Sequence, residues 1–200
     1  MASRVQGRSN CCCQCCFKLF AFVLSVGFVV LIYWLASQPR YIKATISSAQ
    51  LANLTVTNAT AVSYTLGVTL RLYNPSLRVK IYYDSLDTEL RFRGELLGHA
   101  STTSPAEFYQ RQKRSDNVSV NLSGTGVVVS GDAAAELEKE KGEGKVSLEL
   151  AVDARVRYKF FFFGTIKIRQ KPRIRCSVAI PVKADGGGVL SSGDRCSVKY

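Results

Sequence analysis

Val68-Thr-Leu-Arg-Leu-Tyr73 alternates apolar with polar side chains, and Val118-Ser-Val-Asn-Leu122 repeats the pattern. Successive side chains of an extended chain point to opposite faces, so a period of two marks a strand with one face in the core and one in water. Outward from these two stretches, strands are expected over 80–83, 87–92, 127–129, 146–158 and 165–180. Asn74-Pro75, the stretch from Gly98 to Pro105 and the glycines from Gly186 to Gly188 read as punctuation between them. One helix interrupts the strands. Asp132 is its expected N-cap, residues 133–141 are strong helix formers with an acidic face toward solvent, and Gly142 stops it. Many short strands with closely spaced turns and one short helix point to an all-β, antiparallel sandwich, with a closed barrel as the alternative.

The two strands nearest the C-terminus carry an unusual charge pattern. Arg155, Arg157 and Lys159, then Lys167, Arg169, Lys171, Arg173 and Arg175, all occupy odd positions, alternating with Val156, Tyr158, Ile166, Ile168 and Ile174. One face is therefore basic and the other apolar. Four phenylalanines, Phe160 to Phe163, followed by Gly164, stand where a turn is ordinarily polar. The bland reading is a solvated outer face and a turn tucked over the core. The functional reading is an anion-binding strip for lipid headgroups or cell-wall polyanions, with the phenylalanines docking into a membrane or partner.

Before the β-domain, residues 19–36 (LFAFVLSVGFVVLIYWLA) carry no charge. As a helix they cover roughly 27 Å, and with Phe17 and Ser37 included they can span a bilayer. Tyr33-Trp34 suits an interfacial position at one end and Lys18 can reach headgroups at the other. A cleaved signal peptide is the rival reading, disfavoured by the length of the run and by Trp34 three residues before a cleavage point after Ala36. Asn53, Asn58, Asn117 and Asn121 each open an Asn-x-Ser/Thr sequon, whereas proline blocks the one at Asn74. The economical topology is type II, with residues 44–200 outside the cytosol. The expected organisation is a basic, Cys-rich cytosolic tail over 1–18, a signal anchor over 19–37, a β-domain over 44–182 and a Gly-rich tail over 183–200.

Cysteines fall in two groups. Cys11, Cys12, Cys13, Cys15 and Cys16 precede the span on the expected cytosolic side, where juxtamembrane thiols are S-palmitoylation candidates. Adjacent cysteines cannot all converge on one tetrahedral zinc ion, and unmodified thiols are the plain alternative. Cys176 and Cys196 are the two that would face an oxidising compartment, so one intramolecular pairing is open to them, against free thiols or an intermolecular bond.

At 200 residues, 46% hydrophobic and 21% charged, the chain is no disordered polymer. Its 27 basic against 15 acidic side chains favour anionic surfaces. Five of the basic residues precede Ala44 with no acid among them, leaving 22 basic against 15 acidic beyond it. A single histidine, His99, expected in a loop, leaves little for acid-base catalysis. Gly124-Thr-Gly126 departs from a dinucleotide fingerprint, Gly144-Lys145 is followed by Val, and neither GxSxG nor HExxH occurs. No cofactor, no metal and no nucleic-acid partner is expected.

In this setting several short motifs fall in an informative order. A Cys-rich basic start and one span lead to Pro39-Arg40-Tyr41; then come Asn74-Pro75-Ser76 with Tyr82-Tyr83-Asp84, then Phe108-Tyr109-Gln110, and finally a basic strand ending at Cys176 with Cys196 near the close. The chain resembles the plant harpin-induced-like, or non-race-specific disease resistance-like, membrane proteins with their group 2 late embryogenesis abundant domain. The resemblance implies a fibronectin-III-like or immunoglobulin-like sandwich, residence at the plasma membrane (plasmodesmata included), and a non-catalytic role in pathogen defence or stress signalling. It gives Asn74, Pro75, Tyr83, Phe108, Tyr109 and Gln110 structural roles. Ser76 replaces the family's last turn Asn. The Asn-Gly-Asp adhesion motif is absent, Ser130-Gly131-Asp132 and Ser192-Gly193-Asp194 being partial look-alikes. Membrane lipids, membrane or cell-wall proteins and a second copy of the chain are the expected partners, and lipid binding or transfer by the β-domain is the alternative function.

Overall fold

The computed structural model describes residues 9–37, 40–102, 108–160, 167–183, 185–193 and 195–200. It has two compact units, Met1–Pro39 and Arg40–Tyr200. The first holds helix α1 (Ser9–Ser37), within which Cys16–Leu35 has a mean hydropathy of 2.3, long and apolar enough to cross a membrane. Exposed Phe20, Phe28 and Trp34 belong to this stretch. The helix starts well before residue 19, so the Cys-rich segment expected as a tail is helical from Ser9 onward.

The second unit contains, in order, β1 (Lys43–Thr57), β2 (Ala61–Tyr73), β3 (Val79–Phe92), β4 (Glu95–Thr102), β5 (Phe108–Gln110) and β6 (Ser115–Val128). Helix α2 (Gly131–Gly142) follows, then β7 (Lys145–Phe160), β8 (Lys167–Gln170), β9 (Arg173–Pro181), β10 (Gly188–Leu190) and β11 (Ser197–Lys199). The strands form two antiparallel sheets, ordered β10-β1-β2-β6 and β11-β9-β7-β3-β4. On the second sheet β5 continues β4's side of β3, and β8 continues β9's side of β7. This is the fibronectin-III-like sandwich. The inward residues of both sheets, from Ile46, Leu66 and Leu70 to Ile81, Leu148 and Ile180, make one core, as the alternation requires.

Several local expectations change. Residues 98–102, expected as a loop, lie in β4, and exposed His99 is therefore a strand residue opposite Glu89. The expected strands at 80–83 and 87–92 are one strand, bent by a bulge that puts Asp84 outside the ladder. The expected 165–180 strand is broken between Gln170 and Arg173, because Pro172 has no N–H for the ladder. Its Pro172 carbonyl still accepts from Ala154 N–H at 3.0 Å. Ile168 is 40% exposed and no core residue, while Ile166 and Phe161 to Phe163 lie outside the described residues.

Helix α2 is capped by Ser130 rather than Asp132. Ser130 is extended and its Oγ accepts from Ala133 N–H, which moves Asp132 into the first turn, where a carboxylate favours the helix dipole. The acidic face is not wholly solvated either. Glu140 is buried and accepts from Ser147 N–H at 2.8 Å and from Arg93 Nη2 at 2.9 Å.

The Gly-rich stretch after residue 182 is part of the sandwich. Gly186 has φ +78°, and a Cβ there would lie 2.6 Å from the Leu54 carbonyl oxygen, so only glycine lets the turn close against β1. From this turn β10 pairs with β1, Gly193 and Cys196 N–H groups donate to Ile46 and Ala44 carbonyls, and β11 pairs with β9. The tail thus straps one sheet to the other. Composition alone conceals this, because backbone pairing needs no side-chain period.

Candidate functional site

Several buried side-chain hydrogen bonds gather at the end where the chain enters the sandwich. There β2 ends and β3 begins, joined by Asn74-Pro75-Ser76, all three buried. Asn74 Nδ2 donates to the Val79 carbonyl at 2.9 Å and to the Arg111 carbonyl at 3.2 Å, while its Oδ1 accepts from Ser76 N–H at 3.0 Å. Its own N–H donates to the Arg114 carbonyl. One amide therefore ties a turn to the segment after β5. Pro75 at the turn costs no ladder bond. Ser76 keeps the turn and adds an acceptor, its Oγ receiving Arg40 N–H at 3.3 Å.

Gln110 is equally central. Its Nε2 donates to the Leu72 carbonyl at 2.8 Å, and its Oε1 accepts from the Tyr83 hydroxyl at 3.1 Å, bridging the two sheets. Tyr83 also stacks on Phe108, ring centroids 4.4 Å apart. Burial pushes the Tyr83 phenol far above its usual range, with Tyr200 and Asp116 adding to the shift. Beside it, Tyr158 and Tyr200 share a hydroxyl–hydroxyl contact of 3.0 Å, and Tyr200 Oη accepts from Ile42 N–H at 2.9 Å. Asn74, Pro75, Tyr83 and Gln110, all buried, form a structural knot with half-buried Phe108. Tyr109 turns outward: it stacks on Tyr82 and accepts from Arg111 Nε at 2.6 Å, a contact that lowers its phenol from the usual range.

The basic strip is real in position but uneven in charge. Arg155, Lys159, Arg169, Lys171, Arg173 and Arg175 are exposed on the outer face of the second sheet, with Arg157 half-buried among them. Arg173 makes a bidentate pair with Asp153, at 2.6 and 3.0 Å, and Arg157 Nε donates to Asp84 at 2.7 Å. Glu89, Glu149 and Asp87 stand in neighbouring registers, so the middle of this face is mixed. A shallow depression there is lined evenly by Glu89, Glu149, Asp153, Arg91, Arg173 and Arg175. Near the β7–β8 end the balance tips: Lys80, Lys159 and Lys167 occupy one row across three strands. The side chains of Lys167 and Phe160 lie outside the described residues.

The four sequon asparagines are all exposed and all on the first sheet or its β1–β2 turn. Asn53 and Asn58 take φ of 55° and 52°, a conformation asparagine tolerates, at a bulge and a turn. Asn117 and Asn121 face outward along β6, on either side of Ser119. Cys176 and Cys196 are joined by a disulfide, S–S 2.03 Å. Cys16 is an exposed free thiol, while the side chains of Cys11, Cys12, Cys13 and Cys15 lie outside the described residues.

An apolar helix long enough to cross a membrane, ahead of a two-sheet sandwich knotted by Asn-Pro and Phe-Tyr-Gln motifs, defines a class of β-domain proteins with an apolar N-terminal helix. Residues 69–174 match the late embryogenesis abundant protein family, its second group, and the chain belongs to that family. It is 28% identical over 184 residues to NDR1/HIN1-like protein 3 of Arabidopsis thaliana, covering 91% of this chain and 78% of that one. To NDR1/HIN1-like protein 10 of the same plant it is 27% identical over 130 residues, which are 62% of this chain and 56% of that protein's length. Among solved structures, a protein of Arabidopsis thaliana determined in solution is 14% identical, covers 74% of this chain and 88% of its own, and superposes with a TM-score of 0.33.

Residues that sequence reading missed are those that build the entry end. Arg40, Lys80 and Arg111 come from separate segments and acquire a common address only through the turn at Asn74.

Proposed function

We propose that the chain is a non-catalytic, single-pass membrane interaction protein of plant stress or defence responses. Its N-terminus lies in the cytosol, its sandwich outside the plasma membrane. The NDR1/HIN1-like relatives and the family suggest the stress or defence setting. The observation that carries the topology is the placement of Asn53, Asn58, Asn117 and Asn121, four exposed sequons gathered on one sheet and absent from the other. Glycans there leave the second sheet as the bare face for membrane or cell-wall proteins or a second copy of the chain. The Cys176–Cys196 disulfide fits the same oxidising side. S-acylation of Cys11, Cys12, Cys13, Cys15 and Cys16 on the opposite side would tune sorting of a helix that already anchors.

The test is endoglycosidase-sensitive gel mobility of the full-length chain expressed in plant cells, beside a variant with all four asparagines changed to Gln. A shift lost in the variant supports the reading. An unshifted chain whose C-terminal side is digested in intact cytosol-exposed membranes overturns it, placing the sandwich in the cytosol.

A further inference from the structure

The entry end of the sandwich carries positive charge that the fold does not neutralise. Lys80 on β3 lies directly opposite Lys159 on β7, which lies opposite Lys167 on β8. Like charges directly opposite on a sheet destabilise it, so this row is kept at a cost. The next row joins Tyr82, Arg157 and Arg169. Of these, Arg157 is held by Asp84 and Arg169 is exposed without an ionic partner among the described residues. Around the corner Arg111 stands 6.0 Å from the Tyr109 ring centroid, and Lys80 Nζ lies 5.6 Å from the same centroid. Exposed Arg40 is tied to this end through Ser76. Asp84, already paired, and half-buried Asp116 are the described acidic side chains of these strand ends.

The same end exposes apolar and aromatic surface. Tyr41 is 71% exposed, and Leu77, at the tip of the Asn74 turn, 61%. Tyr41 leans on Tyr200, centroids 4.9 Å apart. Basic side chains ringed by exposed tyrosines are the composition that favours a headgroup layer, where cations meet phosphate and amphipathic rings meet the boundary. In the sequence two residues separate Ser37, the end of the apolar helix, from Arg40.

We propose that this end, through Lys80, Arg111, Lys159 and Arg169 with Tyr41 and Tyr109 beside them, docks on the anionic headgroups of the bilayer that anchors the chain. The inference rests on the membrane-anchored reading and adds a lipid charge requirement to it. Docking fixes the sandwich on the membrane and turns its mixed-charge sheet sideways, toward partners. The Lys80–Lys159 pair then serves binding, since phosphate relieves the repulsion that the fold leaves in place.

The test uses the full-length chain in nanodiscs of phosphatidylcholine alone and with about one third phosphatidylserine, followed by amide hydrogen exchange at low salt and at about 0.5 M NaCl. Exchange of the peptides containing residues 77–82, 108–114 and 169–171 is expected to slow roughly threefold or more on the anionic discs, and to recover at high salt. Lys80→Glu with Arg111→Glu, Lys159→Glu and Arg169→Glu should abolish the slowing. A second variant, Lys80→Gln with Lys159→Gln, relieves the like-charge row and keeps the fold, and should reduce it. Lys139→Glu with Lys145→Glu and Lys183→Glu, at the opposite end, should leave it intact. Equal exchange on both discs by an incorporated chain overturns the proposal, as does equal loss from the two reversal sets. Failure of the chain to incorporate at all instead overturns the membrane-anchored reading.

Discussion

Asn74 holds the entry end with an energy that can be worked from its contacts. Replacing it by alanine strips the partners of three groups: the carbonyls of Val79 and Arg111 and the N–H of Ser76. Asn74 is fully buried, so water cannot repair them without opening the turn. At about 1 kcal/mol or more for each orphaned group, the loss is about 3–4 kcal/mol. That is a large share of the 5–15 kcal/mol by which domains of ordinary size are stable. For the unit spanning Arg40–Tyr200, about 2–4 °C per kcal/mol puts the fall in midpoint at about 6–16 °C. Thermal and urea unfolding of the full-length chain, disulfide intact and followed by near-ultraviolet circular dichroism, reads it directly. Asn74→Asp keeps the acceptor for Ser76 but aims a carboxylate at two carbonyls, so at neutral pH it should be no better than alanine. An alanine variant melting within about 2 °C of the parent would show that the turn is held by Pro75 and backbone alone, and would refute the reasoning.

The remaining predictions concern other layers of the sandwich. Reducing Cys176–Cys196, which closes a separation of 20 residues, should cost about 3 kcal/mol in the chain-entropy picture and free the β11 strap; a reduced protein with an unchanged urea midpoint would contradict this. Burial raises the Tyr83, Tyr158 and Tyr200 phenols, so the stability they contribute is complete below about pH 10, the unfolded value, and is lost as pH climbs toward the folded values. Tyr83→Phe should therefore flatten the alkaline fall in unfolding free energy by up to about 1.4 kcal/mol per pH unit, and an unchanged slope would count against it. Gly98→Ala drives a methyl into the Tyr64 hydroxyl across the core and should cost about 1–3 kcal/mol by calorimetry, whereas Gly94→Ala meets no neighbour and should cost only the strain of holding alanine at φ +88°, about 1–2 kcal/mol.

What the sequence disclosed and what it withheld divide along physical lines. The alternation at 68–73 and 118–122 foretold β2 and β6 because each has one face in the core, and burial is what writes a period of two into a chain. The apolar helix was legible from a different signal, the uncharged run over residues 19–36. The strap after residue 182 was not legible, since β10 and β11 are held by backbone pairing and a turn at Gly186 that composition reads as mere looseness. Ser130 took the cap from Asp132 because tertiary contact decided it: Glu95 accepts from Ser130 N–H at 2.9 Å and fixes where the helix starts.

The candidate site follows the same division, and its consequence is sharper. The odd-position arginines and lysines were visible as a stripe, yet a stripe in one strand says nothing of what its neighbours place beside it. In the sandwich, Asp153 and Asp84 arrive from across the sheet and pair with Arg173 and Arg157, while Lys80 arrives opposite Lys159 and deepens the charge. Fold topology thus converts a uniform stripe into a neutralised middle and a charged end. Lys80 and Lys159 face each other there without an acidic residue in the same row, which a reading of either strand by itself could not foretell.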